Sequence, residues 1–308
     1  MKTRSAASSA RADVATTSSA RGIGFIIAAT LMFCLGDTLM KLSAAVLPTT
    51  ETMFVRSLVA TVVVGAAAGF GGGLHRWRET LTAAMSIRAG TDAGASLLFQ
   101  SALGRMQFAD IMGVNQLQAL SLTAGSALFL GETVGWRRWS AVGAGLIGGL
   151  LIIKPGTSTF NPWAIAALGA VLLATTREIA TRKIAATAPV AAIMVISSGV
   201  VTLVSLTGAA FQTWSVPAKS ELLMMVGAGL FSLTGQYCTI SAIRSAEISV
   251  VAPFRYTAMI WALLLGFAVW RQIPDNLSLL GIFAISLAGI YTFHRERKLQ
   301  IERATLAV

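Results

Sequence analysis

Ten long apolar runs constrain this chain more than any other feature of its sequence. A helix rises 1.5 Å per residue, so about 20 apolar residues are needed to cross the hydrocarbon core of a bilayer. The sequence therefore predicts an all-α integral membrane protein with ten transmembrane helices. The runs cover roughly 23–46, 50–70, 80–103, 108–130, 136–153, 162–184, 189–210, 220–242, 248–270 and 277–293.

The composition of the 308 residues excludes an ordinary soluble protein. Only 12% of the residues are charged and the mean hydropathy is +0.72, whereas soluble domains carry about 25% charged residues. A net charge of +11 would suggest nucleic acid in a soluble chain, but here it is better explained by loop charges that set topology, so no nucleic-acid partner is expected. Cys34 and Cys238 both lie in apolar runs, which predicts neither a disulfide framework nor a zinc site.

The distribution of lysine and arginine sets the predicted orientation. With the N-terminus in the cytoplasm, fifteen basic residues fall on the cytoplasmic side and four, Arg105, Lys154, Lys219 and Arg271, on the other. We therefore expect a multi-pass protein of the bacterial inner membrane with both termini in the cytoplasm. Residues 1–21 are expected to form a disordered cytoplasmic tail rather than a transit peptide, since they show no amphipathic apolar face, and 295–308 a basic tail. The cytoplasmic set is Lys2, Arg4, Arg11, Arg21, Arg76, Arg78, Arg137, Arg138, Arg182, Lys183, Arg244, Arg295, Arg297, Lys298 and Arg303.

An internal repeat divides the chain into two halves. Asp37 and Lys41 recur as Glu178 and Arg182, each shifted by 141 residues, and a proline follows each pair at the same distance. Five helices per half is an odd number, so the second half enters the membrane from the opposite side. Such inverted repeats are typical of secondary transporters with a midplane site and alternating access. The two predicted repeats are 22–156 and 157–294.

Three features of the chain resemble the drug/metabolite transporter superfamily, and within it the ten-helix EamA-type exporters, which include bacterial exporters of aromatic and other amino acids. They are the stretch Leu130-Gly131-Glu132 with the Gly-rich helix after it, the stretch Ala252-Pro253-Phe254-Arg255-Tyr256-Thr257 with Trp261 after it, and the repeated halves. The resemblance implies transport of small organic metabolites, usually outward. Where such proteins often repeat the Gly-Glu pair, this chain has Val269-Trp270, so a symmetrical coupling role for Glu132 is not expected.

Eight charged residues lie within the apolar runs, where each costs roughly 2.5 to 3.5 kcal/mol near the bilayer centre. Three pairs stand four apart, Asp37 with Lys41, Arg88 with Asp92, and Glu178 with Arg182, which predicts neutralisation along one helix face. Lys41 and Arg56 lie close enough to span ends to reach the interface instead. The eight residues are Asp37, Lys41, Arg56, Arg88, Asp92, Arg177, Glu178 and Arg255. The candidates for gating or coupling are Asp37, Lys41, Asp92, Glu178 and Arg182.

A second set of polar and aromatic residues predicts the substrate site. Arg255 would hold a carboxylate through a charge-assisted hydrogen bond, amides would orient an amino group, and aromatic rings would form the walls. For each amide, an interhelical hydrogen bond is the alternative. The set favours large neutral amino acids over charged ones. The candidates are Gln100, Asn115, Gln118, Trp163, Tyr237, Arg255, Tyr256 and Trp261.

The sequence favours a secondary transporter that exports amino acids. An importer of another metabolite and a membrane enzyme are the alternatives, but His75 and His294 stand at loop positions and no catalytic set or Asp-rich metal cluster accompanies them. No Walker A loop is present, which argues against a primary pump. The expected partners are a small-molecule substrate and the lipid bilayer, with no cofactor and no metal; the sequence carries no signature of oligomeric state.

Overall fold

The computed structural model describes residues 2–70, 77–129, 135–184, 188–245 and 248–306, and within these ranges the fold is all-helical, as predicted. Ten long helices and one short helix follow one another, with 3-10 turns at Trp77–Thr80, Gly208–Ala210 and Ala252–Tyr256. The helices are α1 Lys2–Ser43, α2 Thr49–Phe70, α3 Ala83–Leu103, α4 Phe108–Phe129, α5 Trp136–Ile153, α6 Trp163–Arg182, α7 Val190–Thr207, α8 Lys219–Ser245, α9 Ile248–Val251, α10 Thr257–Trp270 and α11 Asn276–Leu306.

Seven helical segments in the described ranges are long and apolar enough to cross a bilayer. The other long helices are α3, α4 and α5. α3 carries Arg88 and Asp92, and α5 has only 18 residues and begins with Arg137 and Arg138 after one tryptophan. These helices pack on α6 and α11 rather than standing alone, so neighbouring helices cover their polar faces. The seven segments are Ala20–Ser43, Thr49–Phe70, Trp163–Arg182, Val190–Ala210, Lys219–Ala242, Ala252–Trp270 and Asn276–Arg295.

The structure differs from the sequence prediction at the N-terminus, and a proline interrupts the ninth apolar run. α1 begins at Lys2, so the segment predicted as a disordered tail is helical in its backbone; its Ala and Arg residues are strong helix formers. The ninth apolar run is broken, because Pro253 has no N–H to donate and stands in a 3-10 turn between α9 and α10. This turn carries Arg255 out of regular helix.

The packing of the helices follows an inverted repeat. α1 packs on α8 as α6 packs on α3, and α2 packs on α8 as α7 packs on α3. α2 also meets its own counterpart α7, and α5 meets its counterpart α11. Each of these contacts thus has a partner contact in which the two halves exchange roles, or is its own partner. The fold predicted from the 141-residue offset is confirmed.

Glycines allow α5 and α11 to approach closely on the pseudo-two-fold axis. A Cβ atom placed on Gly148 would lie 2.8 Å from the carbonyl oxygen of Gly281 and 2.9 Å from Ile285, closer than packed atoms tolerate. A Cβ atom on Gly149 would lie 2.7 Å from Leu117. The Gly-rich helices α5 and α11 therefore form a close contact between the two repeats, and small residues are what close helix packing in membranes requires.

Five connections, 44–48, 104–107, 154–162, 208–218 and 271–275, lie at one end of the bundle, which we call the Lys154 end. Asn161 Nδ2 donates to the Arg105 carbonyl at 2.8 Å, and Thr50 Oγ1 donates to Gln212 Oε1 at 2.7 Å. Lys154 donates to Asp275, which lowers the pKa of that carboxyl. These bonds join the two halves at this end.

Candidate functional site

Charged side chains from four helices meet inside the bundle. Arg56 of α2 faces Asp37 of α1, with Nη1 and Oδ1 3.9 Å apart. Arg177 of α6 donates from Nη1 to Asp92 Oδ1 of α3 and from Nη2 to Glu178 Oε1, both at 2.9 Å. Charges that lipid would reject are therefore balanced partly between helices, around a shared space.

None of the three pairs predicted along single helices forms a direct ion pair among the described residues, although Asp92 still interacts electrostatically with Arg88. Asp37 faces Arg56 instead of Lys41, and both Asp92 and Glu178 accept hydrogen bonds from Arg177. Arg182 Nη1 donates to Ser126 Oγ of α4 at 3.3 Å. Side chains four residues apart share a helix face, but that face is packed on another helix, whose groups compete as partners.

Lys41 is buried at the Lys154 end. Its side chain is 8% exposed, and Nζ donates to the carbonyl oxygens of Leu103 and Met106, both at 2.6 Å. The ammonium also lies 5.5 Å from the ring centroid of Trp270. Lys41 thus caps the C-terminus of α3 with its positive charge and does not reach the interface.

Two adjacent cavities contain the interior charges. The first, about 410 Å³, is lined by α1, α2, α3, α6, α7 and α8, and the second, about 320 Å³, is lined by α1, α2, α3, α4, α6, α8 and α10. They share the wall formed by Phe33, Arg56, Ser96, Gln100 and Arg177. Together they form one polar space inside the bundle.

Four of the predicted substrate residues come together in the second cavity. Gln100, Asn115, Gln118 and Arg255 line it, and Gln100 is only 3% exposed at its wall. The Arg255 guanidinium has no carboxylate within 4 Å among the described residues. Its backbone carbonyl accepts a hydrogen bond from Gln116 Nε2 at 3.3 Å, which ties the 3-10 turn to α4.

A smaller cavity of about 160 Å³ continues this polar lining away from the Lys154 end. Glu178 near the end of α6 and Phe293 near the end of the apolar part of α11 line it, together with Arg255 and Tyr256. Tyr256 is therefore next to the site, although its ring is packed against Gly289. The lining is thus continuous from the interior toward the opposite end.

The three remaining candidates lie outside these cavities. Trp163 begins α6 at the Lys154 end, with the Arg105 guanidinium 4.1 Å from its ring centroid. Tyr237 is 68% exposed on the outer side of α8, because each residue advances about 100° around a helix and its neighbour Gln236 takes the cavity-facing position. Trp261 is half-buried on α10 and lines neither of the two larger cavities.

Sequence reasoning missed the residues that form the shared wall. Arg56 was expected at the interface and Arg177 had no assigned role, yet both line both cavities. Phe33 and Phe99 provide the aromatic walls expected from the tryptophans. Arg56 could have been identified from the sequence, because it carries the charge opposite to that of Asp37 and lies on the neighbouring helix. No sequence signal identifies the two phenylalanines. Leu130, Gly131 and Glu132 lie outside the described residues.

Known proteins resemble this chain over both halves. The model of the EamA-like transporter family matches residues 20–154 and 161–293. The chain is 26% identical over 275 residues to the pseudopaline exporter CntI of Pseudomonas aeruginosa, covering 87% of this chain and 94% of that protein. It is 25% identical over 177 residues to an S-adenosylmethionine uptake transporter of Rickettsia felis, covering 56% of this chain and only 58% of that protein.

Further similarities agree with the family match. The chain is 27% identical over 180 residues to a riboflavin transporter of Vibrio cholerae, covering 58% of this chain and 60% of that protein. A solved structure superposes with a TM-score of 0.64 at 17% identity, over 91% of this chain and 97% of that chain, which shows the fold alone. Since the family model matches both five-helix repeats, the chain belongs to the EamA-like transporter family.

Proposed function

We propose that this protein is an alternating-access secondary transporter that exports small amino-carboxylate metabolites, with aromatic and large neutral amino acids as its simplest substrates. One observation carries the proposal: Arg255 lines the second cavity without a carboxylate partner within 4 Å in the described part of the chain. A guanidinium in such a place is stabilised by a substrate carboxylate, which it can hold with two parallel hydrogen bonds.

The rest of the second cavity suits an α-amino acid. The side-chain amides of Asn115 and Gln118 supply acceptors for an ammonium group. Phe33, Phe99 and Met112 form an apolar wall that accepts side chains of varied shape, since aromatic faces and a thioether adapt to different partners.

The arrangement of the two ends supports loading from the cytoplasm. At the Lys154 end, Lys41 caps α3, and Phe108 packs on Trp270 with ring centroids 5.4 Å apart. The smaller cavity instead carries the polar lining toward the opposite end, which the fifteen-to-four distribution of basic residues assigns to the cytoplasm. A substrate entering there and leaving at the Lys154 end is exported. The relative matched over 94% of its own length is named an exporter.

The direct test is counterflow of labelled phenylalanine in proteoliposomes that contain the full chain, with and without a proton gradient. Arg255→Lys should lower transport about tenfold or more although the charge is retained, because a point charge cannot reproduce the planar fork. Arg105→Lys is the matched control, since Arg105 stacks on Trp163 outside the cavities. Equal transport by wild type and Arg255→Ala would remove this site, and accumulation only in the inward direction would favour the uptake alternative.

Topology is tested separately. Reporter fusions after Lys154 and after Arg303 should report opposite sides of the membrane, with Arg303 in the cytoplasm. The same side for both fusions would contradict the orientation on which the export direction rests.

A further inference from the structure

The first cavity contains an arginine that amino acid binding at Arg255 leaves unused. Arg88 of α3 donates from Nε to Thr181 Oγ1 at 2.9 Å and from Nη1 to Ser197 Oγ. Both acceptors are neutral hydroxyls. Among the described residues, no carboxylate lies within 4 Å of this guanidinium, and Asp92, one turn along α3, already accepts from Arg177. Arg88 and Arg255 are thus two cations without direct carboxylate partners, one in each cavity.

The wall between the two arginines carries two carboxylates. Asp92 and Glu178 share Arg177, which lines both cavities, and both also interact electrostatically with Arg88. These four charges sum to zero, so a substrate carboxylate bound at Arg88 would leave one net negative charge at this position. The ammonium group of a substrate would be stabilised there, between substrate carboxylates that bind Arg255 and Arg88.

Cavity size points the same way. An amino acid bound at Arg255 occupies the second cavity of about 320 Å³ and leaves the adjacent first cavity of about 410 Å³ unfilled. A longer substrate reaches it along the shared wall, where Ser96 and Gln100 offer hydrogen bonds.

We propose that Arg88 forms a second anion subsite, so that the preferred substrates are amino dicarboxylates. One carboxylate binds Arg255, the ammonium lies near the Asp92–Arg177–Glu178 group, and the second carboxylate binds Arg88. This inference rests on the proposed function, because it uses the same transport path and the same Arg255 subsite. It departs from the sequence expectation of neutral over charged substrates.

Two probes of equal chain length test the subsite: 2-aminopimelate, which ends in a carboxylate, and 2-aminoheptanoate, which ends in a methyl group. In counterflow with the full chain, wild type should show a KM about tenfold lower for 2-aminopimelate, the factor expected for one charge-assisted hydrogen bond. Arg88→Gln should abolish this difference, so that the two probes have equal KM values in the variant even if a shift between conformations changes both. Arg105→Gln is the control for removal of a positive charge elsewhere.

The remaining outcomes count against either the second subsite or the proposed function. Equal KM values in wild type overturn the second subsite without any variant, so a failure of Arg88→Gln to fold does not decide the matter. A preference that persists in Arg88→Gln, or an equal loss of both probes, also overturns it. Transport of neither probe nor phenylalanine by wild type contradicts the proposed function instead.

Discussion

Two helix crossings related by the pseudo-two-fold axis, α2 on α8 and α3 on α7, each hold one arginine–serine hydrogen bond. Arg56 Nη2 donates to Ser232 Oγ at 3.0 Å in the first crossing, and Arg88 Nη1 donates to Ser197 Oγ in the second. Ser197 follows Arg56 by 141 residues, the offset of the repeat, and Ser232 follows Arg88 by 144. The two halves have therefore exchanged the helix that carries the arginine while keeping the contact.

The crossings differ in what surrounds each arginine. Arg56 also faces Asp37 at 3.9 Å, whereas Arg88 also donates to the Thr181 hydroxyl. Arg177, beside Arg88, has Gly36 as its counterpart 141 residues earlier. Exchange of two related conformations requires two such crossings, and unequal neighbours give the two conformations different free energies. Asp37 and Glu178 thus remain candidates for gating, with arginine partners other than those predicted.

The largest effect is expected from Arg177→Leu, which removes the charge that has no counterpart near the first crossing. It leaves Asp92 and Glu178 without their shared partner, and we expect the free energy of unfolding to fall by about 1–3 kcal/mol. The fully buried value would be larger, but the three side chains are 18–40% exposed and partly screened. Thermal unfolding in detergent measures the change. Arg105→Leu is the control, and equal stability of the two variants would contradict the ion-pair assignment.

The next test weakens the two crossings one at a time by replacing the arginine of each. Arg56 lies near the start of α2 at the Lys154 end, and Arg88 lies near the start of α3 at the opposite end. Arg56→Gln should therefore shift the population toward access from the Lys154 end, and Arg88→Gln toward access from the other, each by about fivefold or more for one hydrogen bond to a charged group.

The readout is labelling of Ser96→Cys in the wall shared by the cavities, in a background where Cys34 and Cys238 are replaced by alanine. Impermeant reagents applied to vesicles of each orientation report the exposed side. A shift of labelling in the same direction in both variants would contradict the assignment of the two crossings to opposite ends.

A double-mutant cycle that exchanges Arg56 and Ser232 tests whether the first crossing depends on this hydrogen bond. Arg56→Ser and Ser232→Arg together place the arginine on α8, whereas each single change leaves either two serines or two arginines. The double variant should be more stable than the sum of the single changes predicts, with a coupling energy of about 0.5–1.5 kcal/mol. Strict additivity in a double-mutant cycle would mean that the crossing does not depend on this contact.

The smallest effect is expected on the axis itself. Thr61 Oγ1 and Thr202 Oγ1 lie 3.3 Å apart and are separated by 141 residues, so this hydrogen bond is its own counterpart. Thr61→Val should cost about 0.6 kcal/mol, the average for interhelical hydrogen bonds in membranes. Thr234→Val is the control, because Thr234 bonds only to the Leu230 carbonyl of its own helix. A cost no greater than that of the control would mean that apolar packing, and not this hydrogen bond, stabilises the helix contact on the axis.

Much of the fold follows from the sequence alone. Apolar length predicts the helices, and the recurrence of Asp37 and Lys41 as Glu178 and Arg182 predicts the inverted repeat. These features are local or periodic, and lipid as solvent forces backbone hydrogen bonds into helices whatever the side chains do.

The hydrogen-bond and ion-pair partners of the polar side chains depend on the tertiary structure. Four-residue spacing placed Asp37 and Lys41 on one face, but the rotation of α1 against α2 and α3 sends the first to Arg56 and the second to the end of α3. One residue of rotation likewise turns Gln236 inward and Tyr237 outward. A sequence fixes the angle between side chains on one helix, whereas the angle between helices is set by the packing of all of them together.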